Sequence, residues 1–264
     1  MLHKVVLSMS CMLFSATVFA GTSDITSSNN QLGIQFISTN VNYTETVSTG
    51  TLDTEKGWVP GYAVSLSTMK DWWLGDDYFE AEYDNSIGST KYVGGLIGPP
   101  ATPYGSVVST SGATLTNYSA RYGSGHNVSD EFMLTPYAEL GNHKWNRGVN
   151  SGEIYTNHYY GFGMLAQFSS VSRLVFTANA MLGTTFGSYI VVNGTKGFSG
   201  PLGNSNISRV GLSADYAFTQ QSHWNIGVDY VSFKYGASAT YNGYYEPDSQ
   251  TSYTTIKLGY GYAF

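Results

Sequence analysis

Apolar side chains recur at every second position along most of this chain. Such alternation predicts β-strands with one apolar and one polar face, because successive side chains of a strand point to opposite sides. No stretch has the 3.6-residue period of an amphipathic helix. Ten segments alternate in this way: 32–36, 62–67, 79–84, 118–122, 134–140, 160–168, 174–183, 210–218, 224–230 and 254–264. The predicted fold class is therefore all-β.

The connections between these segments are of two kinds, which follow one another in turn. Short ones lie near 72–77, 127–131, 169–173 and 219–223, and long ones near 47–58, 94–113, 146–157, 191–207 and 238–252. Outer-membrane barrels are built from short periplasmic turns and longer outer loops in the same alternation. We predict a closed antiparallel up-and-down transmembrane β-barrel of ten strands, with both termini on the turn side. The alternative is eight strands, if 59–70 and 113–123 are loops.

The first twenty residues do not fit this pattern. They have a short basic start, an apolar stretch from Val5 to Phe19 and small residues at the end, before Gly21. These are the three parts of a cleaved secretory signal. We expect a signal peptide over residues 1–20, cleaved near Ala20, and a barrel domain over 21–264. Cys11 lies in the signal, so the mature chain has no cysteine and no disulfide.

Composition fits a barrel better than a typical soluble domain. Charged residues make up 11% of the chain, where soluble domains have about 25%, and aromatic residues make up 15%. All 18 acidic residues but only 11 of the 12 basic ones follow the signal, which leaves a net charge of −7. An acidic chain lacks the basic footprint of nucleic-acid binding. We expect no nucleic-acid partner, and we find no spacing of ligands that predicts a metal or cofactor.

Aromatic residues gather near the ends of the predicted strands. Barrels in membranes carry two girdles of such residues, one at each interface with water. On the turn side we expect a girdle of Trp72, Trp73, Tyr78, Phe132 and Trp224. On the loop side we expect a girdle of Tyr43, Trp58, Trp145, Tyr159, Tyr189 and Tyr235.

The last strand has a terminal Phe264 and apolar residues at every second position before it: Ile256, Leu258, Tyr260 and Tyr262. It resembles the C-terminal signal of Gram-negative outer-membrane β-barrel proteins, and segments 132–168 and 208–218 resemble strands of the small OmpA/opacity-protein type barrels. The resemblance implies a place in the bacterial outer membrane, with its lipid and lipopolysaccharide as surroundings. It also implies that the barrel-assembly machinery reads the final strand as an assembly signal.

Charged residues also fall on the faces opposite the apolar ones, and these define a candidate site. By register nine of them face the lumen: Glu80, Glu82, Asp84, Arg121, Glu139, Arg209, Asp215, Asp229 and Lys257. They could line a polar or gated pore or form a proton-active site. They could equally form an internal network of salt bridges that plugs a narrow barrel, because a charge inside must be paired or wet. We favour the plug.

An enzyme is the remaining class. Ten strands resemble the omptin proteases, which place aspartates and a histidine at the loop end. Here the loop-side histidines are His143 and His158, and the nearest acids are Glu153, Glu246 and Asp248. The one Asp-Asp pair, Asp76-Asp77, falls in a short turn. No G-x-S-x-G motif is present.

We therefore expect a non-enzymatic surface protein, serving envelope integrity or contacting partners through outer loops. The loops are rich in tyrosine, serine, glycine and asparagine, as in 242–249, and adaptable recognition surfaces use these residues. The alternatives are a narrow passive pore for ions or small solutes and a loop-borne omptin-like hydrolase.

Overall fold

A computed structural model describes residues 21–95, 102–195 and 197–264. The predicted signal peptide lies outside these residues. The chain begins with a short helix, α1, at Thr22–Ser28. The strands that follow are β1 Gln31–Val47, β2 Gly50–Lys70, β3 Asp77–Gly94, β4 Val107–Ser124, β5 His126–Ser129, β6 Phe132–Arg147, β7 Glu153–Val171, β8 Leu174–Val192, β9 Phe198–Pro201, β10 Asn206–Ala217, β11 Ser222–Tyr235 and β12 Asp248–Ala263.

Ten of these strands form a closed antiparallel barrel, in which each pairs with its neighbours in chain order. The last strand, β12, pairs with β1 from Gln31↔Ala263 to Thr46↔Asp248 and so closes the ring. The short β5 and β9 pair with β6 and β8 as additions to the wall. The prediction of a ten-stranded up-and-down barrel is confirmed. The eight-strand alternative is wrong, because 59–70 lies within β2 and 113–123 within β4.

The two faces of the wall differ as the alternation predicts. Large apolar side chains point outward, and Phe36, Phe162 and Leu182 each leave more than 70% of their surface exposed. In β12, Ile256, Leu258 and Tyr262 are exposed in the same way, as is Phe264 directly after it, and Tyr260 is half-buried. Together these residues form a continuous apolar band around the turn-side part of the barrel. A lipid bilayer covers such a band in barrels of this type.

The wall continues well beyond this band, which the sequence did not suggest. A strand needs about 9–11 residues to cross a bilayer, but β2 has 21 residues and β7 and β8 have 19 each. Much of the predicted loops 47–58 and 146–157 is therefore strand. The connections there are only 48–49 and 148–152. Above the band the outward face becomes polar, so apolar alternation stops although pairing does not.

Helix α1 lies across the turn-side end of the barrel and was not predicted. Its Ile25 is fully buried, and the helix contacts β6, β7 and β8. The Asn29 amide donates to Gln167 Oε1 at 2.8 Å, and Asn30 Oδ1 accepts the Met69 backbone N–H at 2.9 Å. Seven residues are too few to display a helical period. Among the described residues, no helix is long and apolar enough to span a membrane.

Candidate functional site

The structure places the nine predicted lumen charges inside the barrel, where most of them are ion-paired. Glu139 is fully buried on β6 and joins two arginines. Arg121 Nε donates to Glu139 Oε2 at 2.7 Å, and Arg209 Nη1 donates to Glu139 Oε1. The Tyr159 hydroxyl donates to the same Oε1 at 2.7 Å, and Arg121 also lies 3.4 Å from Glu80. One carboxylate thus holds β4, β6 and β10 together across the lumen.

A second pairing crosses the barrel beside the first. Lys257 Nζ on β12 lies 2.7 Å from Glu82 on β3 and 3.1 Å from Asp229 on β11. Because β1 and β2 lie between β12 and β3 in the sheet, this lysine connects strands that are not neighbours. We call these two groups, centred on Glu139 and Lys257, the lower lumen network.

The other two predicted charges make separate contacts. Asp84 accepts a hydrogen bond from the Asn117 amide at 2.8 Å. Asp215 is hydrogen-bonded to His223 Nδ1, and its other oxygen accepts from the Gln31 amide at 3.1 Å. Within the described chain, all nine residues therefore have a charged or polar partner.

Aromatic side chains fill the lumen above this network, which corrects one prediction. Tyr43, Trp145, Tyr159 and Tyr235 were expected in the loop-side girdle but point inward, each with 1% exposure or less. Tyr78, expected in the turn-side girdle, is also buried, and Phe132 is half-buried. The remaining girdle residues, Trp58, Tyr189, Trp72, Trp73 and Trp224, are exposed as expected. The inward set lies on the opposite strand parity from the apolar band.

These inward rings contact one another from wall to wall. Tyr43 meets Trp145 with centroids 5.4 Å apart, and Tyr155 meets Tyr235 at 5.2 Å. His143 stacks on Phe233 at 5.0 Å. We define the aromatic layer as Tyr43, His143, Trp145, Tyr155, Tyr159, Phe233, Tyr235 and Tyr253, all buried. It separates the lower lumen network from the space above it.

Above the aromatic layer lies a second cluster of charges, of which the sequence analysis named only Glu153 and Glu246. Arg147 is buried and lies 2.8 Å from Glu55, 2.9 Å from Glu153 and 3.7 Å from Asp53. Its guanidinium also stands over the Tyr43 ring, 4.4 Å from the centroid. We define the outer acidic cluster as Arg147 with Glu45, Asp53, Glu55, Glu153 and Glu246. The alternation of inward and outward positions would have revealed the cluster, since residues 45, 53, 55, 147 and 153 all fall on inward positions.

The outer acidic cluster lies beyond the apolar band, and four of its carboxyl groups bind protons more tightly than usual. Burial, followed by the charge of Glu153, raises the pKa of Glu246 to about 8. Burial is also the main reason that the pKa values of Glu45, Asp53 and Glu153 are raised. Five carboxyl groups around a single arginine are an excess of acidic groups, and with a pKa of about 8 Glu246 is mostly protonated at neutral pH.

This excess predicts a pH dependence of stability. A carboxyl whose pKa is raised in the folded barrel stabilises it fully below its unfolded pKa of about 4.3. That contribution is lost as the pH rises through the folded value of about 8 for Glu246. We expect Glu246→Gln to flatten the decline in the free energy of unfolding between pH 4.5 and 8. Urea unfolding in neutral-lipid vesicles measures it, and equal slopes for both proteins would contradict it.

A cavity of about 620 Å³ opens above the outer acidic cluster. Four of the five carboxylates line it: Glu45, Asp53, Glu153 and Glu246. Tyr92, Tyr244 and Tyr245 lie on its walls. This volume falls within the range of about 300–1,000 Å³ that is typical of small-molecule sites. We call it the outer cavity.

The loop-side histidines have amide partners. His143 Nδ1 lies 3.2 Å from Asn157 Oδ1, and His158 Nδ1 lies 3.2 Å from Asn142 Nδ2. Asp77, in the predicted Asp-Asp pair, accepts backbone N–H bonds from 72–74 and so shapes the turn. Within the part of the chain that the structure describes, no three His, Cys, Asp or Glu side chains are grouped to hold a metal ion.

Comparison with known proteins gives the fold. No family model matches the chain, and no curated protein does. The outer-membrane protease OmpT of Escherichia coli superposes with a TM-score of 0.53 and 9% identity, over 89% of this chain and 97% of OmpT. The β domain of the Bordetella autotransporter BrkA has a TM-score of 0.43 and 11% identity, over 89% of this chain and all of that domain. Neisserial surface protein A has a TM-score of 0.37 and 11% identity, over 88% and 97%. The chain has the fold of the outer-membrane β-barrel proteins.

Proposed function

We propose that this chain is a non-enzymatic surface protein of the bacterial outer membrane, with an occluded barrel that contacts partners through its outer end. The observation that carries the proposal is the aromatic layer. Rings such as Trp145, Tyr155 and Tyr235 contact one another from β6 and β7 to β11, and contacts of this kind would exclude hydrated ions between the polar regions below and above. The lower lumen network then stabilises the barrel by connecting its strands across the lumen.

The placement in the membrane is supported by the surface of the barrel. Outward residues such as Phe36 and Leu182 would leave a large apolar area in contact with water if the protein were soluble. Closure through β12 and β1 also satisfies the backbone groups that lipid cannot hydrogen-bond. The final strand, β12, ends within the apolar band, and Phe264 directly after it is exposed.

Conductance tests the occluded barrel directly. We expect the refolded mature protein to be electrically silent in a planar bilayer, because rings of the aromatic layer contact one another across the lumen. Heat-modified mobility in gels would verify that the silent sample is folded. Steady openings of the wild type would contradict the proposal and favour the pore. If Arg121→Ala then changed the ion selectivity of those openings, the lower lumen network would be the filter.

A further inference from the structure

The wall of the barrel beyond the apolar band carries different charges on its two faces. The inward face holds the carboxyl groups of the outer acidic cluster. On the outward face the described residues include four exposed lysines and one exposed carboxylate, Asp248. The lysines are Lys56, Lys91, Lys144 and Lys234. The outward face at this level is therefore basic, although the chain as a whole is acidic.

Two of these lysines lie side by side. Lys56 on β2 is the register partner of Lys91 on β3, and the Cβ atoms of directly opposite residues in an antiparallel pair are about 4.5–5.5 Å apart. Like charges in this position destabilise the pairing of the strands. The outward positions that surround the two lysines hold no carboxylate to offset the repulsion: they are Asn42, Thr54, Trp58, Ser89, Val93 and Thr110.

The position of the pair along the barrel indicates which anion it meets. Trp58 lies two residues from Lys56 on the same face and is 50% exposed, and exposed tryptophan rings mark the level of the lipid headgroups. On the other side of Trp58, the apolar band continues through Tyr62, Val64 and Leu66. Two residues of a strand span about 7 Å, so the lysines lie just outside the hydrocarbon. The phosphates of lipid headgroups are anions found at this depth.

We propose that Lys56 and Lys91 together bind the phosphate monoester of a lipid headgroup in the loop-side leaflet. A phosphate monoester carries a charge of about −1.5 to −2 at neutral pH, so one such group balances both ammonium groups. Each ammonium donates to a phosphate oxygen, and hydrogen bonds between charged groups are the stronger kind. The lipid chain below the phosphate lies against Trp58. Lipid binding of this kind rests on the proposed place in the membrane but not on an occluded lumen, so conductance and lipid binding can fail separately.

Native mass spectrometry of the mature barrel in a neutral detergent, titrated with phosphatidic acid, tests the site. We expect one phosphatidic acid to bind more tightly than any further one. Its affinity should fall about tenfold or more in Lys56→Gln/Lys91→Gln, because both cations that hold the phosphate are removed. Heat-modified mobility shows that each variant is folded.

The matched control is Lys144→Gln/Lys234→Gln. It removes the same charge from the same outward face, but these two lysines lie opposite uncharged register partners: Thr116, Thr156 and Gln250. The control should leave the affinity for the first phosphatidic acid nearly unchanged. An equal loss of affinity in the two double variants would mean that the lipid follows the total charge of the face, and would overturn the paired site.

The choice of lipid decides the remaining alternatives. Phosphatidylglycerol, a phosphodiester, should bind more weakly than phosphatidic acid, and equal affinity would overturn the monoester. Inorganic phosphate should compete poorly, because it has no chain to lie against Trp58. Displacement of the lipid by an equal concentration of inorganic phosphate would assign the pair to a free anion and overturn the headgroup. If folded wild type bound no phosphatidic acid, the site would be refuted.

Discussion

Replacing Arg147 with methionine lowers the free energy of unfolding by about 3–5 kcal/mol, the cost typical of breaking a buried ion pair from one side. The loss is large because Glu55 and Glu153, both buried, lie within 3 Å of the guanidinium. Without it each must either stay charged with no cation beside it or take up a proton at pH 8, and both cost free energy. Methionine retains most of the packing against Tyr43, so the change reports mainly on charge. Urea unfolding in neutral-lipid vesicles near pH 8 measures it.

Lys144→Met is the matched control. Lys144 lies on the same strand, three residues away, but is exposed on the outward face, so its loss should cost less than about 1 kcal/mol. Adding Glu55→Gln and Glu153→Gln to Arg147→Met should recover part of the stability, because the two carboxyl groups that have lost their cation are then removed. If Arg147→Met were no more harmful than Lys144→Met, the outer acidic cluster would be solvated and the account given above would be wrong.

Replacing Glu139 with alanine is expected to cost a comparable amount, about 3–5 kcal/mol. The carboxylate accepts from Arg121 and Arg209, so its removal leaves two guanidinium groups facing each other in the lumen. It also removes the acceptor of the Tyr159 hydroxyl, at the boundary with the aromatic layer. The temperature at which the heat-modified band appears in gels should fall, and urea unfolding should give the free energy.

Glu80→Ala provides the comparison for this second variant. Glu80 contacts the same Arg121, but at 3.4 Å, and its side chain is more exposed. Its removal should therefore cost less than half as much as that of Glu139. Equal costs would indicate that the lower lumen network is solvated throughout and does not stabilise the barrel.

The sequence predicted the fold well because period-two alternation is a direct consequence of strand geometry. The exposed Leu32, Ile34 and Phe36 also fix the parity of β1, and the same parity turns Tyr43 inward. The prediction that Tyr43 belongs to a girdle relied on its position along the strand and ignored which face of the strand it is on. The same error was made for Trp145, Tyr159 and Tyr235. Continued alternation would have predicted the aromatic layer.

Other features could not be read from the sequence. The partner of Lys257 is Glu82, on a strand 175 positions away, and no local pattern links them. Helix α1 is held by tertiary contacts, such as the burial of Ile25 and the contact of Asn30, just after the helix, with Met69, and not by its own periodicity. The upper strands lack an apolar face, so their polar composition resembles that of loops although their backbones are paired.

The tall wall above the apolar band determines how selective a site there can be. Glu45, Asp53 and Glu153 sit on paired strands, whereas sites at barrel mouths are commonly carried by loops. A ligand that meets a wall of hydrogen-bonded backbone orders little of the protein when it binds, so the entropic cost of association is small. The spacing of the carboxylates is then fixed in advance. A site on such a wall discriminates among ligands by the distances between their polar groups.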